Sequence, residues 1–214
     1  MRRSGEPFGK WTCRAKKTLP ASERDEKQRE EFRQTASAIN AHRFIFVDEA
    51  AANLAMTRLY GRAPRGERVS ECVPRNYGES ISVLGALSVS GVRAAMTVDG
   101  AVDTLCFDAF ITQILVPQLH SGDVVVLDNL NVHKASQIEA AAEAVGASVL
   151  WLPAYSPDMT PIEQCWSKIK AFLRSVKART RAELDAALAQ AIKLVTASDA
   201  LGWFTHCGYK VASG

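Results

Sequence analysis

Three carboxylates stand out by their settings. Asp48 follows the apolar run Phe44-Ile45-Phe46-Val47, and Asp128 follows Val124-Val125-Val126-Leu127. Glu163 comes just after a loop, Leu152-Pro153-Ala154-Tyr155-Ser156-Pro157-Asp158-Met159-Thr160-Pro161, whose prolines bar it from continuing a helix or a central strand. If the two apolar runs are parallel neighbouring strands, both aspartates emerge at one sheet edge, where α/β sheets usually bind ligands. Like charges placed together repel and raise a pKa unless a cation neutralises them. Hard oxygen donors of this kind suit Mg²⁺ or Mn²⁺, with water and phosphate oxygens completing the shell. A third carboxylate nearby would complete a site for two ions roughly 3.5–4 Å apart, one activating a water or hydroxyl and the other stabilising the leaving 3′ oxygen.

Each acid also has a plainer reading. Asp48 and Asp128 could be turn-formers or helix caps. Thr160-x-x-Glu163 matches a capping box, in which the glutamate satisfies backbone N–H groups and does no chemistry. Thr160 suits an N-cap, Pro161 the first helical position and Glu163 the third. Beyond them, Ile162, Trp166, Ile169, Leu173 and Val176 form a core-facing stripe at helical spacing. A second stripe, Glu163, Ser167, Lys170, Arg174 and Lys177, puts one acid at the head of a basic track. Lys170, Arg174 and Lys177 are therefore candidate phosphate contacts, which position DNA without reading its sequence; a solvated face is the alternative.

The elements that must carry these residues can be read in order. Residues 1–22 form a basic arm and residues 23–40 a charged helix, so residues 1–41 read as arm and linker and 42–210 as the principal domain. The first strand is expected to end at Asp48-Glu49. Residues 57–75 read as exposed strand and loop, punctuated by Gly61, Pro64 and Gly66. Ile81–Val89 and Val92–Val98 form a hairpin about Ser90-Gly91. A continuous amphipathic helix is expected over Thr104–Leu119, a strand before Asp128, a helix over Lys134–Val145, a short strand over Ala147–Leu152, the Glu163 helix, and a last helix over 180–196. Leu201, Trp203, Phe204 and Tyr209 read as packing residues of the tail. Meander strands followed by alternating α and β imply an α/β fold, a mixed central sheet flanked by helices.

Composition excludes several classes. The 214 residues are 47% hydrophobic and 23% charged, enough to bury a sizeable core. Net charge is only +3, but it is unevenly placed. Residues 1–20 carry Arg2, Arg3, Lys10, Arg14, Lys16 and Lys17 against Glu6, and residues 164–181 carry six cations and no acid. Two basic zones in a near-neutral chain point to a polyanion. Five scattered cysteines without a C-x-x-C pair argue against a disulfide framework or zinc knuckle, and for the reducing cytosol. No export signal, membrane span or nucleotide-binding glycine motif is present.

Taken together, Asp48, then Val126-Leu127-Asp128-Asn129-Leu130-Asn131-Val132-His133-Lys134, then Tyr155-Ser156-Pro157-Asp158-Met159-Thr160-Pro161-Ile162-Glu163 resemble the acid-triad (DDE) transposases of the mariner superfamily, in its bacterial insertion-sequence branch. Residues 129 to 162, thirty-four in all, separate the last two acids. The resemblance implies an RNase H-like fold and two divalent ions, Mg²⁺ or Mn²⁺, held by Asp48, Asp128 and Glu163. It also implies cleavage of double-stranded DNA at transposon ends and transfer of the freed 3′-hydroxyl into target DNA, in the bacterial cytoplasm at the nucleoid. His133 stands where the family has a histidine, and is a candidate for contacting the scissile phosphate or orienting water; a satisfied helix N-terminal ring is the plainer alternative. At position 160 the family more often has asparagine. Forty residues before the first strand cannot hold the two helix-turn-helix units usual in the family, so the chain reads as a catalytic half. End recognition would come from a separate helix-turn-helix polypeptide, alongside a possible homodimer. A hydrolysis-only nuclease of the same fold and a non-catalytic DNA-binding fragment are the rival readings.

Overall fold

The computed structural model describes residues 21–70, 72–128 and 135–211. Five strands make one mixed sheet: β1 (Phe44–Asn53), β2 (Ser80–Ser88), β3 (Gly91–Asp99), β4 (Val124–Asp128) and β5 (Ser148–Leu152), in the order β3-β2-β1-β4-β5. The first three form an antiparallel meander, while β1, β4 and β5 run parallel. Around them lie α1 (Glu26–Ser37), α2 (Thr104–Ala109), α3 (Ala135–Glu143), α4 (Pro161–Val176), α5 (Arg181–Lys193) and α6 (Ala197–His206).

Side-chain alternation along the strands divides the core in two. Phe44, Phe46, Val124 and Val126 face one way and meet Ile162, Trp166 and Ile169 of α4, together with residues of α1, α5 and α6. Ile45, Val47, Val125 and Leu127 face the other way, against Phe110, Ile111, Leu115 and Ile138. The parallel strands are thus buried on both sides, which is why they read as unbroken apolar runs. Phe46, Phe204 and Tyr209 pack ring against ring, closing the C-terminal helix onto the first strand.

Several expectations are corrected. β1 does not stop at Asp48; it continues to Asn53 because β2 pairs with it along that whole length, from Phe46↔Leu87 to Asn53↔Ser80. Among the described residues no strand forms between Asn53 and Ser80. The helix beginning at Thr104 is not continuous: α2 ends at Ala109, Phe110–Leu115 widens to a π-helical turn and Val116–Gln118 tightens to a 3₁₀ turn. Pro117 has no N–H to prolong the helix, and the wider turn aims Phe110, Ile111 and Leu115 into the core. The tail is a helix, α6, in which Phe204 is buried while Leu201 is exposed.

The charged helix expected near the N-terminus is α1, and one of its cations is wholly buried. Arg29, 0% exposed, donates to Ser156 Oγ at 2.6 Å and makes two bonds to Asp158, at 3.1 and 2.7 Å. The α1 guanidinium therefore pins the loop that leads into α4. No helix among the described residues is long and apolar enough to cross a membrane, and Cys72, Cys106, Cys165 and Cys207 are free thiols.

Candidate active site

The register of the parallel pair brings two of the acids level. Phe46 of β1 is opposite Val126 of β4, and two residues further along each strand stand Asp48 and Asp128. Both side chains share the face of Phe46 and Val126, which is the face that α4 covers. The β1–β4 ladder ends at Phe46, so the strands part where the carboxylates emerge. Glu163, in the first turn of α4, overhangs the same place. Asp48, Asp128 and Glu163 line one cavity of about 430 Å³, walled on its other side by residues 152–157 and Thr160.

The capping question is settled by comparison within the molecule. Thr180 with Glu183, and Thr196 with Asp199, have the same spacing as Thr160 with Glu163, and both close into capping boxes. Thr160 makes no side-chain cap; its hydroxyl instead donates to Ser156 O at 3.3 Å, and only backbone joins Glu163 N to Thr160 O. The Glu163 carboxylate is left turned to the cavity, exposed and outside any cap.

Asp48 sits in a setting that disfavours its charge. Burial pushes its carboxyl up to about 6, with the charges of Glu163 and Asp128 adding to the rise; bonds from the Glu49 backbone and the Trp166 indole oppose it. Trp166 Nε1 donates to Asp48 Oδ2 at 3.1 Å. A half-buried acid facing two like charges is a site that a cation would relieve, and an all-carboxylate donor set fits a hard divalent ion. Among the described residues, no three His, Cys, Asp or Glu side chains are grouped closely enough to surround one ion.

The phosphate-contact candidates lie further along α4. Lys170 is half-buried and Arg174 exposed, while Lys177 is the C-cap in the left-handed conformation, φ 60°. His133 falls outside the described residues. Four residues of the site and its supports were given no individual role from sequence: Arg29 looked like any cation of a solvated helix, and Trp166 like core. Gly85 stood inside a strand, a pattern that can mark a close approach. Tyr155, on the cavity wall, has φ 56° and an exposed ring, an uncommon backbone state for a residue of its size.

A family described as DDE superfamily endonuclease is matched over residues 43–185, more than half of the chain and including all three acids. The chain belongs to this DDE superfamily. Among solved structures, this DDE protein is similar to the Mos1 transposase paired-end complex with left transposon end, at 16% identity and TM-score 0.71, covering 92% of this chain and 64% of that one. It is also similar to the Mos1 mariner paired-end complex with Mn, at 15% identity and TM-score 0.67, covering 91% and 63%. The crystal structure of the catalytic domain of Mos1 mariner transposase aligns at 15% identity and TM-score 0.59, covering 89% and 92%. At such identities the likeness shows the fold, which is RNase H-like, and the DDE chain spans less than two thirds of the transposase chains in those complexes. No curated protein matches it in sequence.

Proposed function

We propose that this chain is the catalytic domain of a mariner-like transposase of the bacterial insertion-sequence branch, with residues 42–210 as its working unit and α1 packed upon it. Its substrates would be the duplex ends of a transposon and a target duplex. The observation that carries this reading is the convergence of Asp48, Asp128 and Glu163, from two strands and a helix, on one cavity.

Divalent ions, Mg²⁺ or Mn²⁺, would be held by these three carboxylates and would supply charge neutralisation and activation of the attacking oxygen. Each ion needs only one or two carboxylates, the remainder of its shell coming from water and phosphate oxygens, so no closed cage is required before DNA arrives. Trp166 holds Asp48 in place through its N–H. The Arg29-anchored loop holds the start of α4 and hence Glu163. In the first reaction water attacks phosphorus, the P–O3′ bond breaks, and a 3′-hydroxyl and a 5′-phosphate result. In the second, that 3′-hydroxyl attacks a target phosphate and displaces the target's own 3′ oxygen. One P–O bond forms for each one broken, so no nucleotide cofactor is needed. Lys170, Arg174 and Lys177 would hold phosphates of the flanking duplex, and His133 would contact the scissile phosphate or water. A homodimer and a separate end-recognising helix-turn-helix polypeptide would complete the assembly in the bacterial cytoplasm.

The deciding experiment pairs cleavage and joining assays on duplex DNA with Mg²⁺ or Mn²⁺. The parent should cut and join, and Asp128→Asn should lose both while keeping its melting temperature. Cutting without joined products would favour a hydrolytic nuclease instead. Equal rates in parent and variant would remove Asp128 from the site.

A further inference from the structure

β3 is an edge of the sheet, with β2 on one side and, among the described residues, no strand on the other. Gly100 N donates to Ser80 O at 3.0 Å, which makes Ser80 and Gly100 a hydrogen-bonded pair at the head of the antiparallel ladder. Such pairs recur at every second residue, so Ser82↔Val98, Leu84↔Met96 and Ala86↔Ala94 are bonded in the same way. The backbone groups of the residues between them, Ala95, Thr97 and Asp99, therefore point away from β2. Among the described residues no other main chain bonds to them.

Natural edges are blunted by lysine, proline, inward-pointing charges or bulges. Residues 94–99 contain neither lysine nor proline, and their single charge, Asp99, is engaged by Arg181 of α5. A bulge is present, but it falls at Arg93, where Ala86↔Ala94 gives way to Leu87↔Val92, and it leaves the residues beyond it regular. Thr97 is exposed, while Ala95, Met96 and Val98 are half-buried. On the face that carries Met96, Leu105 in the first turn of α2 adds a side chain 75% exposed.

This edge is complementary to itself. Antiparallel pairing about a two-fold axis at Thr97 sets Thr97 opposite the partner's Thr97, and Ala95 opposite the partner's Asp99. Both pairings join residues whose N–H and C=O point outward, so free donors meet free acceptors. Met96 falls beside the partner's Val98, apolar against apolar. An axis at Met96 or Val98 would engage only two of the three outward residues. The axis at Thr97 engages all of them.

We infer that β3 is a self-pairing edge, through which two copies of this chain join into one continuous sheet. The contact is isologous, the same strand serving on both sides of the axis, and its bonds are those of strand addition. For what the pairing serves, this rests on the proposed function, whose homodimer it locates. Five strand spacings of ~4.8 Å would separate the two copies of β1, so the two sets of acids would stand about 24 Å apart across one sheet. A single rigid layer would then set the distance between two reacting centres.

The test is sedimentation of the full chain over a concentration series, without DNA or divalent metal. The parent should reach a dimer. Thr97→Lys and Thr97→Glu should each be monomeric where the parent is dimeric, because the axis sets like charges directly opposite. Mixing these two variants should restore a dimer, lysine now facing glutamate. Thr97→Pro should also be monomeric: the N–H it removes points outward, and edge strands tolerate proline there. Thr97 is exposed, so the melting temperature of the two charge variants, taken at a dilution where the parent is monomeric, should not move. A parent that is monomeric throughout would overturn the inference, as would a dimer that survives all three substitutions. Charge variants that stay apart when mixed would overturn it too. Metal-dependent cleavage by the parent is a separate readout, so the proposed function stands or falls with Asp128→Asn and not with these results.

Discussion

Trp166 occupies the space that a side chain on Gly85 would need: a Cβ built there would lie 2.5 Å from the indole Cη2 and 2.9 Å from Cζ2. Gly85 of β2 is also the residue directly opposite Asp48 of β1. The missing side chain on one strand thus admits the ring that holds the carboxylate on the next, through the 3.1 Å bond from Trp166 Nε1. Trp166 is only 4% exposed and sits among core residues, so it has nowhere to retreat. Gly85→Ala should cost about 1–3 kcal/mol by overpacking, measured by chemical denaturation, and should weaken divalent-metal binding measured by calorimetry. Unaltered metal binding in a destabilised variant would mean that the glycine serves packing alone.

Removing the bond without the ring separates those two roles. Trp166→Phe keeps an aromatic ring against Gly85 but deletes the N–H donor. Because that bond lowers the Asp48 pKa, its loss should shift the midpoint of pH-dependent metal binding upward. A midpoint that stays put would exclude the indole from any positioning role.

The position of that midpoint follows from Asp48 itself. Its carboxyl titrates at about 6, against 3.8 when unperturbed, so protons compete with a divalent ion below pH 6 and metal affinity should rise through that range. The sign for folding is the reverse. A raised carboxyl pKa means that the folded state binds the proton more tightly, so its contribution is full below pH ~4 and is lost as pH climbs through about 6. At ~1.36 kcal/mol per unit, the metal-free protein should lose on the order of 2–3 kcal/mol across that interval. Asp48→Asn should abolish this loss, as read by denaturation at pH 4.5 and 7.5 in a chelator; an identical profile in the variant would place the titration elsewhere.

The loop before α4 depends on a residue remote in sequence. Burial works to raise the Asp158 pKa, but the bonds and charge of Arg29, with the charge of Arg24, outweigh it and hold the carboxyl below its usual range. Stability from this pairing is present at neutral pH and falls away only as pH drops through that lowered value. Arg29→Met should cost about 1–3 kcal/mol, because it removes the buried bond to Ser156, while the half-exposed Asp158 carboxylate returns to water. Arg29→Lys should recover little, lacking the two-pronged geometry. Cleavage should fall along with stability; full cleavage at a temperature where the variant is folded would free the loop from this dependence.

Glu163 and Glu183 supply a matched pair. Glu183 accepts from the backbone N–H of Arg179 and Thr180 within a closed capping box, so Glu183→Gln should lower the melting temperature and leave metal binding alone. Glu163→Gln should do the opposite, losing metal affinity with a melting temperature nearly unmoved. The reverse result at position 163 would return that residue to a capping role.

Much of the frame was legible because local chemistry dictated it. Strands buried on both faces must be apolar throughout, which exposed Phe44–Val47 and Val124–Leu127 to view. The turn at Ser90-Gly91 marked the hairpin, and the spacing of Ile162, Trp166, Ile169 and Leu173 marked α4 and its core face. The three acids were visible for the same reason, as charges abutting apolar runs or a proline-bounded loop. Tertiary structure decided what spacing alone leaves open. Thr160-x-x-Glu163 and Thr180-x-x-Glu183 are equivalent as strings, but the Thr160 hydroxyl is drawn off by Ser156 O, so only the second is a cap. Asp48 looked like the end of a strand, yet β2 pairs beyond it, and what ends there is the ladder to β4. Arg29, Gly85 and Trp166 act on residues between 37 and 129 positions away; a local pattern holds no record of such distances, because only the packed sheet and helices bring those atoms within reach.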